Sequence, residues 1–234
     1  ESLKPGEGWW ITRTGLEAVL GGAVPERAEV VPSTDLWCEE RRIGLERDRS
    51  TRTAQEGMLY STRHARLRRG VSLAMQIAGV PEDWTLPFDH VVSLGGESRL
   101  AECRVWKDGL KLTMPLAAIE SNRRMVVIAL SPIDLEHQVC MGRKALPLGH
   151  ARVISACLNR PQRIGGWDSL ARRPLPLQSV LPAGSTLFCE VDDLADLRDA
   201  VLAKSGLPRI GARQRWGFGI VALGSWSDES EVTS

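Results

Sequence analysis

The sequence predicts an α+β fold, and three observations predict it. Short apolar runs at Met125–Leu130, Ala151–Cys157, Thr186–Val191 and Phe218–Leu223 have the length of buried strands. Helical spacing is confined to two places, Leu16, Val19 and Leu20 near one end and Leu194, Leu197, Val201 and Leu202 near the other. Between them lie glycine and proline turn signals, such as Gly95-Gly96, which separates Phe88–Leu94 from Arg99–Trp106 as strand, tight turn, strand. Many strands with few helices and no fixed-period repeat argue for mixed, segregated elements.

Taken in order, Glu1–Gly8 is polar and turn-rich, and Trp9–Ile11 is a short apolar run. Thr14-Gly-Leu-Glu17 reads as a capping box opening the first helix, which Gly21-Gly22 end. Val30–Trp37 reads as a loop-borne link. In Arg41–Leu67 a polar, turn-prone stretch, Ser50–Gly57, divides Ile43–Leu45 from Met58–Leu67. The simplest structure is a long β-hairpin with Arg49, Arg52 and Thr53 at its tip and Tyr60 where the strand resumes; an ordinary solvated loop has the same composition. Val71–Ala78 alternates apolar and small or polar residues, as a half-buried strand does. Gln162–Arg173 is basic and turn-rich around Trp167, and Pro174–Pro182 is punctuated by prolines. Either Asp192 or Asp193 can cap the second helix, and Gly206 and Pro208 stop it.

The chain has 234 residues and 43% hydrophobic content, enough for one large or two small packed units. No stretch reaches the ~20 apolar residues of a membrane span, and no export signal opens it. Five scattered cysteines without a C-x-x-C fit reduced thiols of the cytoplasm better than disulfides or zinc. Net charge is +1, but the charge is segregated. Arg41–Arg69 carries nine Arg against Glu46, Asp48 and Glu56, and Arg152–Arg173 carries five Arg against Asp168. Acid collects in Glu190–Asp196 and in the tail from Asp228. Basic blocks in a near-neutral chain point to a polyanion groove; solvated loops are the plainer explanation.

The stretch with the most chemistry is Ile210–Leu223, I-G-A-R-Q-R-W-G-F-G-I-V-A-L. Gly211, Gly217 and Gly219 allow left-handed backbone and close approach to main-chain N–H groups. Arg213 and Arg215 are planar forks suited to phosphate, Gln214 adds an amide, and Trp216 offers a face for a base. No Lys-Ser/Thr follows the last glycine, so this is not a P-loop, and it opens a strand where the dinucleotide fingerprint opens a helix. A tight turn into a strand uses similar residues.

A helix, an arginine-bearing glycine loop closing G-F-G and then a strand resemble the C-terminal loop of the RAMP superfamily, the repeat-associated proteins of CRISPR effectors. Three further stretches sharpen the resemblance: STRTAQEGMLYSTRHARL at Ser50–Leu67, LGGESRLAECRVW at Leu94–Trp106 and GGWDSLARRPLPLQSVLPAGSTLFC at Gly165–Cys189. Together they look like the RAMP subunit of the type III-B Cmr complex at the 5′-handle end of the crRNA. The resemblance implies two ferredoxin-like (RRM-like) units with inserted β-hairpins, one over residues 1–110 and one over 111–226, followed by an acidic tail at 227–234. Set against the superfamily pattern, the first unit is expected to start after its N-terminal strand and helix, which are either trimmed away or supplied by another chain. The Arg41–Leu67 hairpin corresponds to the thumb-type hairpin that RAMP subunits press against guide RNA. The implied partners are crRNA, the large polymerase-like subunit and the adjacent backbone RAMP subunit, with no cofactor.

The expected RNA contacts are therefore Gly211–Gly219 as the main cradle, Arg163, Trp167, Arg172 and Arg173 beside it, and Arg49, Arg52, Thr53 and Tyr60 on the hairpin. An enzyme reading rests on His64, which lies in the basic block near Tyr60 and could move a 2′-hydroxyl proton. A lone His in an alternating S-T-R-H-A-R-L stretch also reads as a surface residue, and no H-E-x-x-H occurs. The expectation is a non-catalytic RNA-binding subunit, with a metal-independent guide-processing endoribonuclease and a protein-only scaffold as alternatives.

Overall fold

A computed structural model describes residues 8–48, 50–77, 79–81, 83, 90–96, 99–106, 111–135, 146–202 and 206–227. Arg49, at the expected hairpin tip, and the acidic tail from Asp228 lie outside the described residues. The chain divides into two compact units, one of Glu1–Leu16 with Val24–Ala74 and one of Glu17–Ala23 with Met75–Ser234. The boundary expected from sequence, after residue 110, falls within the second.

In the first unit β1 (Trp9–Ile11) pairs antiparallel with β2 (Val30–Pro32). Thr12 precedes α1 (Arg13–Leu20), and its hydroxyl accepts the Gly15 N–H at 3.2 Å. The cap is thus Thr12, not Thr14: two hydroxyls stand two residues apart, and only the earlier one sits outside the first turn. Val30–Trp37, expected as a link, instead supplies β2 and a short helix, α2 (Ser33–Leu36). Then β3 (Trp37–Arg47) and β4 (Ala54–Leu67) form the long hairpin that the sequence predicts.

The Val71–Ala78 stretch differs from its expectation as a half-buried strand, with Ala78 outside the described residues. Val71–Ile77 forms no strand, and Leu73 and Met75 are exposed. Alternation marks a possible face, but a strand also needs a partner edge, and among the described residues none pairs with this stretch. A small hairpin follows as expected, β5 (His90–Ser93) with β6 (Leu100–Cys103).

The core sits on a four-stranded antiparallel sheet. After α3 (Leu116–Asn122) come β7 (Arg124–Ala129) and β8 (Arg152–Cys157). Next are β9 (Gln162–Ile164), β10 (Trp167–Asp168), β11 (Arg173–Pro174) and β12 (Gln178–Val180). The chain closes with β13 (Thr186–Glu190), α4 (Leu194–Leu202) and β14 (Val221–Ser225). The sheet order is β14-β7-β13-β8, so the glycine loop runs into an edge strand. Met125 and Val127 of β7, Leu187 and Cys189 of β13, and Val221 and Leu223 of β14 are almost wholly buried, with Ile119 of α3 and Leu197 of α4 in the same cluster. The apolar runs became strands because only a sheet buries so many short segments at once. Asp193 caps α4: its Oδ1 accepts the N–H groups of Ala195 and Asp196, each at 3.0 Å.

Between β8 and β13 the chain makes an arm. β9 pairs with β12 and, further out, β10 pairs with β11. The prolines that punctuate this stretch fall where pairing tolerates them, Pro174 in the outermost pair, Pro176 in the link between β11 and β12, and Pro182 beyond β12.

Candidate nucleic-acid interface

The glycine loop has a fixed base and an open tip. At its base Ile210 is fully buried and its N–H donates to the Gly219 carbonyl at 2.9 Å, closing the loop on itself. The Gly219 N–H donates to Pro132, and the Ala212 N–H to the Asp134 carbonyl, each at 2.8 Å. Gly211 and Gly219 have φ of +79° and +75°. A Cβ at Gly219 would overlap the Ile210 carbonyl oxygen, and one at Gly211 would overlap the Asp134 carbonyl oxygen. These two glycines are therefore required twice, by backbone conformation and by space. Because Gly219 is left-handed and Ile220 bridges Arg209, the strand starts at Val221 and not at Phe218.

The tip is a single 3₁₀ turn, Gln214–Trp216. The Gln214 side-chain amide donates to the Gly211 carbonyl at 2.9 Å, and Arg209 donates to the Gln214 carbonyl at 3.1 Å. Arg213 turns inward: its Nε stands 3.1 Å from Asp134 Oδ2, and its guanidinium lies 5.7 Å from the Phe218 ring centroid. Arg215, Trp216 and Gly217 face outward, with Trp216 73% exposed and nothing within 4 Å of a Cβ built on Gly217. Of the residues expected in the cradle, the structure thus places Arg213 and Gln214 in the scaffold of the loop and Arg215, Trp216 and Gly217 on its surface.

The arm belongs to the same unit and carries the second expected group. Arg163 sits on β9 opposite Ser179, Trp167 on β10 opposite Pro174, and Arg173 on β11 opposite Asp168. Arg172 takes a left-handed conformation at the turn (φ +49°), and Asp168 Oδ1 accepts the N–H groups of Leu170 and Ala171 there. Trp167 and all three arginines are exposed, and Leu170 at the tip is 99% exposed. Arg152, counted in the same basic block, is ion-paired with Glu190 across β8 and β13.

Residues 2–226 match the family described as CRISPR-associated protein (Cas_Cmr3). The chain belongs to that family. No curated protein matches it. Ten chains of solved structures do. One comes from a cryo-EM structure of the type III-B Cmr-beta bound to cognate target RNA and AMPPnP, at 18% identity and a TM-score of 0.45, covering 66% of this chain and 47% of that one. Another, from the type III-B Cmr-beta bound to cognate target RNA, shows 17% identity, a TM-score of 0.47 and coverage of 76% and 56%. This chain therefore spans about half the length of the solved chains it matches.

The long hairpin of this Cas_Cmr3 chain holds its expected residues apart. Arg52, left-handed at φ +57°, and Thr53 are at the tip. There Asp48 Oδ1 accepts the Ser50 hydroxyl at 2.5 Å and the N–H groups of Ser50 and Thr51 at 2.7 and 3.0 Å. The Ser50 hydroxyl, then the amides of Thr51 and Ser50, hold the Asp48 carboxyl down to about 2. Tyr60 lies farther down, opposite Gly44, and its ring occupies the space a Cβ at Gly44 would need. His64 stands opposite Glu40 with Nε2 2.9 Å from Thr62 Oγ1.

The basic charge of this hairpin is smaller than the Arg41–Arg69 stretch implies. Glu39 lies 3.0 Å from Arg41 and 3.6 Å from Arg63; Glu40 lies 2.6 Å from Arg42 and 3.3 Å from Arg66. Both glutamates precede the window, so they escaped a count along the sequence while pairing with Arg41 and Arg42 on their own strand and with Arg63 and Arg66 across the ribbon. The Arg41 hydrogen bond, with the nearby Arg63 and Arg41 charges, lowers the Glu39 carboxyl below its ordinary range. Among the described residues no cluster of three or more His, Cys, Asp or Glu is placed to hold a metal ion, and no helix is long and apolar enough to cross a membrane. From the sequence Asp134 is a carboxylate to which no partner can be assigned; the fold supplies one, because the bridge to Ala212 and the Gly219–Pro132 hydrogen bond bring it to the loop, 3.1 Å from Arg213 Nε.

Proposed function

We propose that this Cas_Cmr3 family member is a non-catalytic crRNA-binding subunit of a type III-B Cmr effector complex in the cytoplasm. It holds the 5′ handle of the guide and bridges the large polymerase-like subunit to the adjacent backbone RAMP subunit. Family membership supports the complex, and one observation carries the RNA contact: Arg215, Trp216 and Gly217 project from a loop whose base is fixed by main-chain hydrogen bonds. A guanidinium fork beside an indole face, on a backbone that needs no rearrangement, suits a phosphate and its neighbouring base.

The sheet supports a ferredoxin-like RAMP unit. Counting β7, β8, β13 and β14 as first to fourth, the order is fourth-first-third-second, with every neighbouring pair antiparallel and α4 between the third and fourth strands. That is the strand order of a βαββαβ module. The arm is its inserted hairpin, adding Arg163, Trp167, Arg172 and Arg173 to the contacts of this unit. In the other unit Arg52 and Thr53 at the hairpin tip and Tyr60 farther down the ribbon are exposed and are the proposed contacts there.

The test is ultraviolet crosslinking of the chain to a repeat-derived 5′-handle RNA, with the crosslinked peptides mapped. Crosslinks at Trp216 and Trp167 are expected. Their absence, with RNA retained elsewhere, removes both from the binding face. Incubation of the same RNA with the chain in EDTA gives no specific cut on this reading. Cutting abolished by His64→Ala establishes the endoribonuclease instead.

A further inference from the structure

The expected cradle contains two arginines two residues apart, and the structure treats them oppositely. Arg215 is exposed, whereas the Arg213 side chain is 25% exposed and faces Asp134, whose side chain is 6% exposed. Asp134 also meets the loop through its backbone: its carbonyl accepts the Ala212 N–H, and that same oxygen is what forbids a side chain at Gly211. Arg213 itself holds a left-handed backbone conformation (φ +56°), which is disfavoured for a residue with a Cβ. A nearly buried carboxylate and the aromatic face of Phe218 are contacts that keep Arg213 in that conformation. The next three residues form the 3₁₀ turn that presents Arg215 and Trp216.

We infer that Asp134 and Arg213 form a latch that positions the glycine-loop tip, so that Arg213 is a positioning residue and the RNA-touching arginine is Arg215. This rests on the RNA-binding reading above. It also reverses a simple electrostatic expectation. If Arg213 gripped phosphate, Asp134 would compete with the RNA for it, and Asp134→Asn would free the guanidinium and strengthen binding. If the pair is a latch, the same substitution removes a negative charge and nevertheless weakens binding, because the tip loses its shape.

The experiment measures affinity of the chain for a single-stranded 5′-handle RNA over a salt series, together with amide hydrogen exchange across 211–217 in the RNA-free protein. The variants are Asp134→Asn, Arg213→Gln, the double variant and Arg215→Ala. For Asp134→Asn and Arg213→Gln the latch predicts severalfold weaker binding, an unchanged salt slope, faster exchange across the loop, and a double variant no worse than either single one. Arg213→Lys, which keeps the charge facing Asp134, restores most of the slow exchange. Tighter binding by Asp134→Asn, or a salt slope lowered by about one in Arg213→Gln with exchange unchanged, overturns the latch. Should Asp134→Asn fail to fold, Arg213→Gln alone decides between these outcomes. Unaltered RNA binding by Arg215→Ala sinks the RNA reading while the exchange data still judge the latch.

Discussion

The four-stranded sheet and the β3–β4 hairpin are built from the same backbone pairing and bury opposite amounts of surface. Along β7 four of six residues are buried and the other two half-buried, whereas along β3 none is buried. Ile43, 75% exposed, sits on a ribbon flanked by Arg41 and Arg63; Val127 sits in a core with Leu187, Val221 and Leu223. An isolated two-stranded ribbon is marginal in water. A long ribbon with arginines and exposed aliphatic residues therefore adds little to the stability of the chain by itself, and its two open faces are what it offers to a partner. One region is shaped by what it excludes from water and the other by what it presents to it.

The largest expected effect breaks the first region. Leu223→Ala removes a fully buried side chain and should cost about 2–5 kcal/mol in denaturant unfolding. Ile43→Ala on the hairpin should move stability by no more than about 0.5 kcal/mol. Comparable losses from the two would contradict the contrast.

Next in size are the loop glycines. Gly219→Ala adds a clash with the Ile210 carbonyl to a left-handed backbone and should cost about 2 kcal/mol or more. Gly217→Ala, with open space around it, pays only the backbone term of about 1–2 kcal/mol. Equal melting temperatures for the two variants would show that the loop base is not packed as described.

Smaller effects sharpen the contrast by chemistry. Cys189 lies in the core, and burial pushes its thiol up to about 12, while Cys103 and Cys157 are exposed. Iodoacetamide at pH 8 should modify Cys103 and Cys157 of the native chain and spare Cys189 until it unfolds. The smallest effect is at the hairpin tip. The Asp48 carboxyl is depressed to about 2, so its support of the turn is complete above about pH 4 and is lost as the pH falls through about 2. An NMR titration of Asp48 with an ordinary midpoint near 3.9 would remove that turn from the account.

How much of this was legible depended on the range of the interactions. The buried strands and the Asp193 cap are local: apolar runs and a carboxylate beside the first turn announce themselves. The Arg41–Leu67 hairpin was legible because its turn chemistry is contiguous. Val71–Ile77 misled because alternation records a face and not a neighbour. The arm at Gln162–Val180 was hidden by Pro174 and Pro176, which it tolerates in the outermost pair and in the link to β12. In the candidate site the glycines and exposed residues were visible, yet the split between Arg213 and Arg215 was not. It is set by Asp134, which the fold brings from the chain just beyond β7.

The most direct measurement of the central claim is the affinity of the chain for 5′-handle RNA from 50 to 300 mM salt, wild type against Arg215→Ala. If the exposed tip of the glycine loop grips a phosphate, binding weakens and the log–log salt slope falls by about one. A superimposable pair of salt titrations would place the RNA, if it binds at all, on another surface.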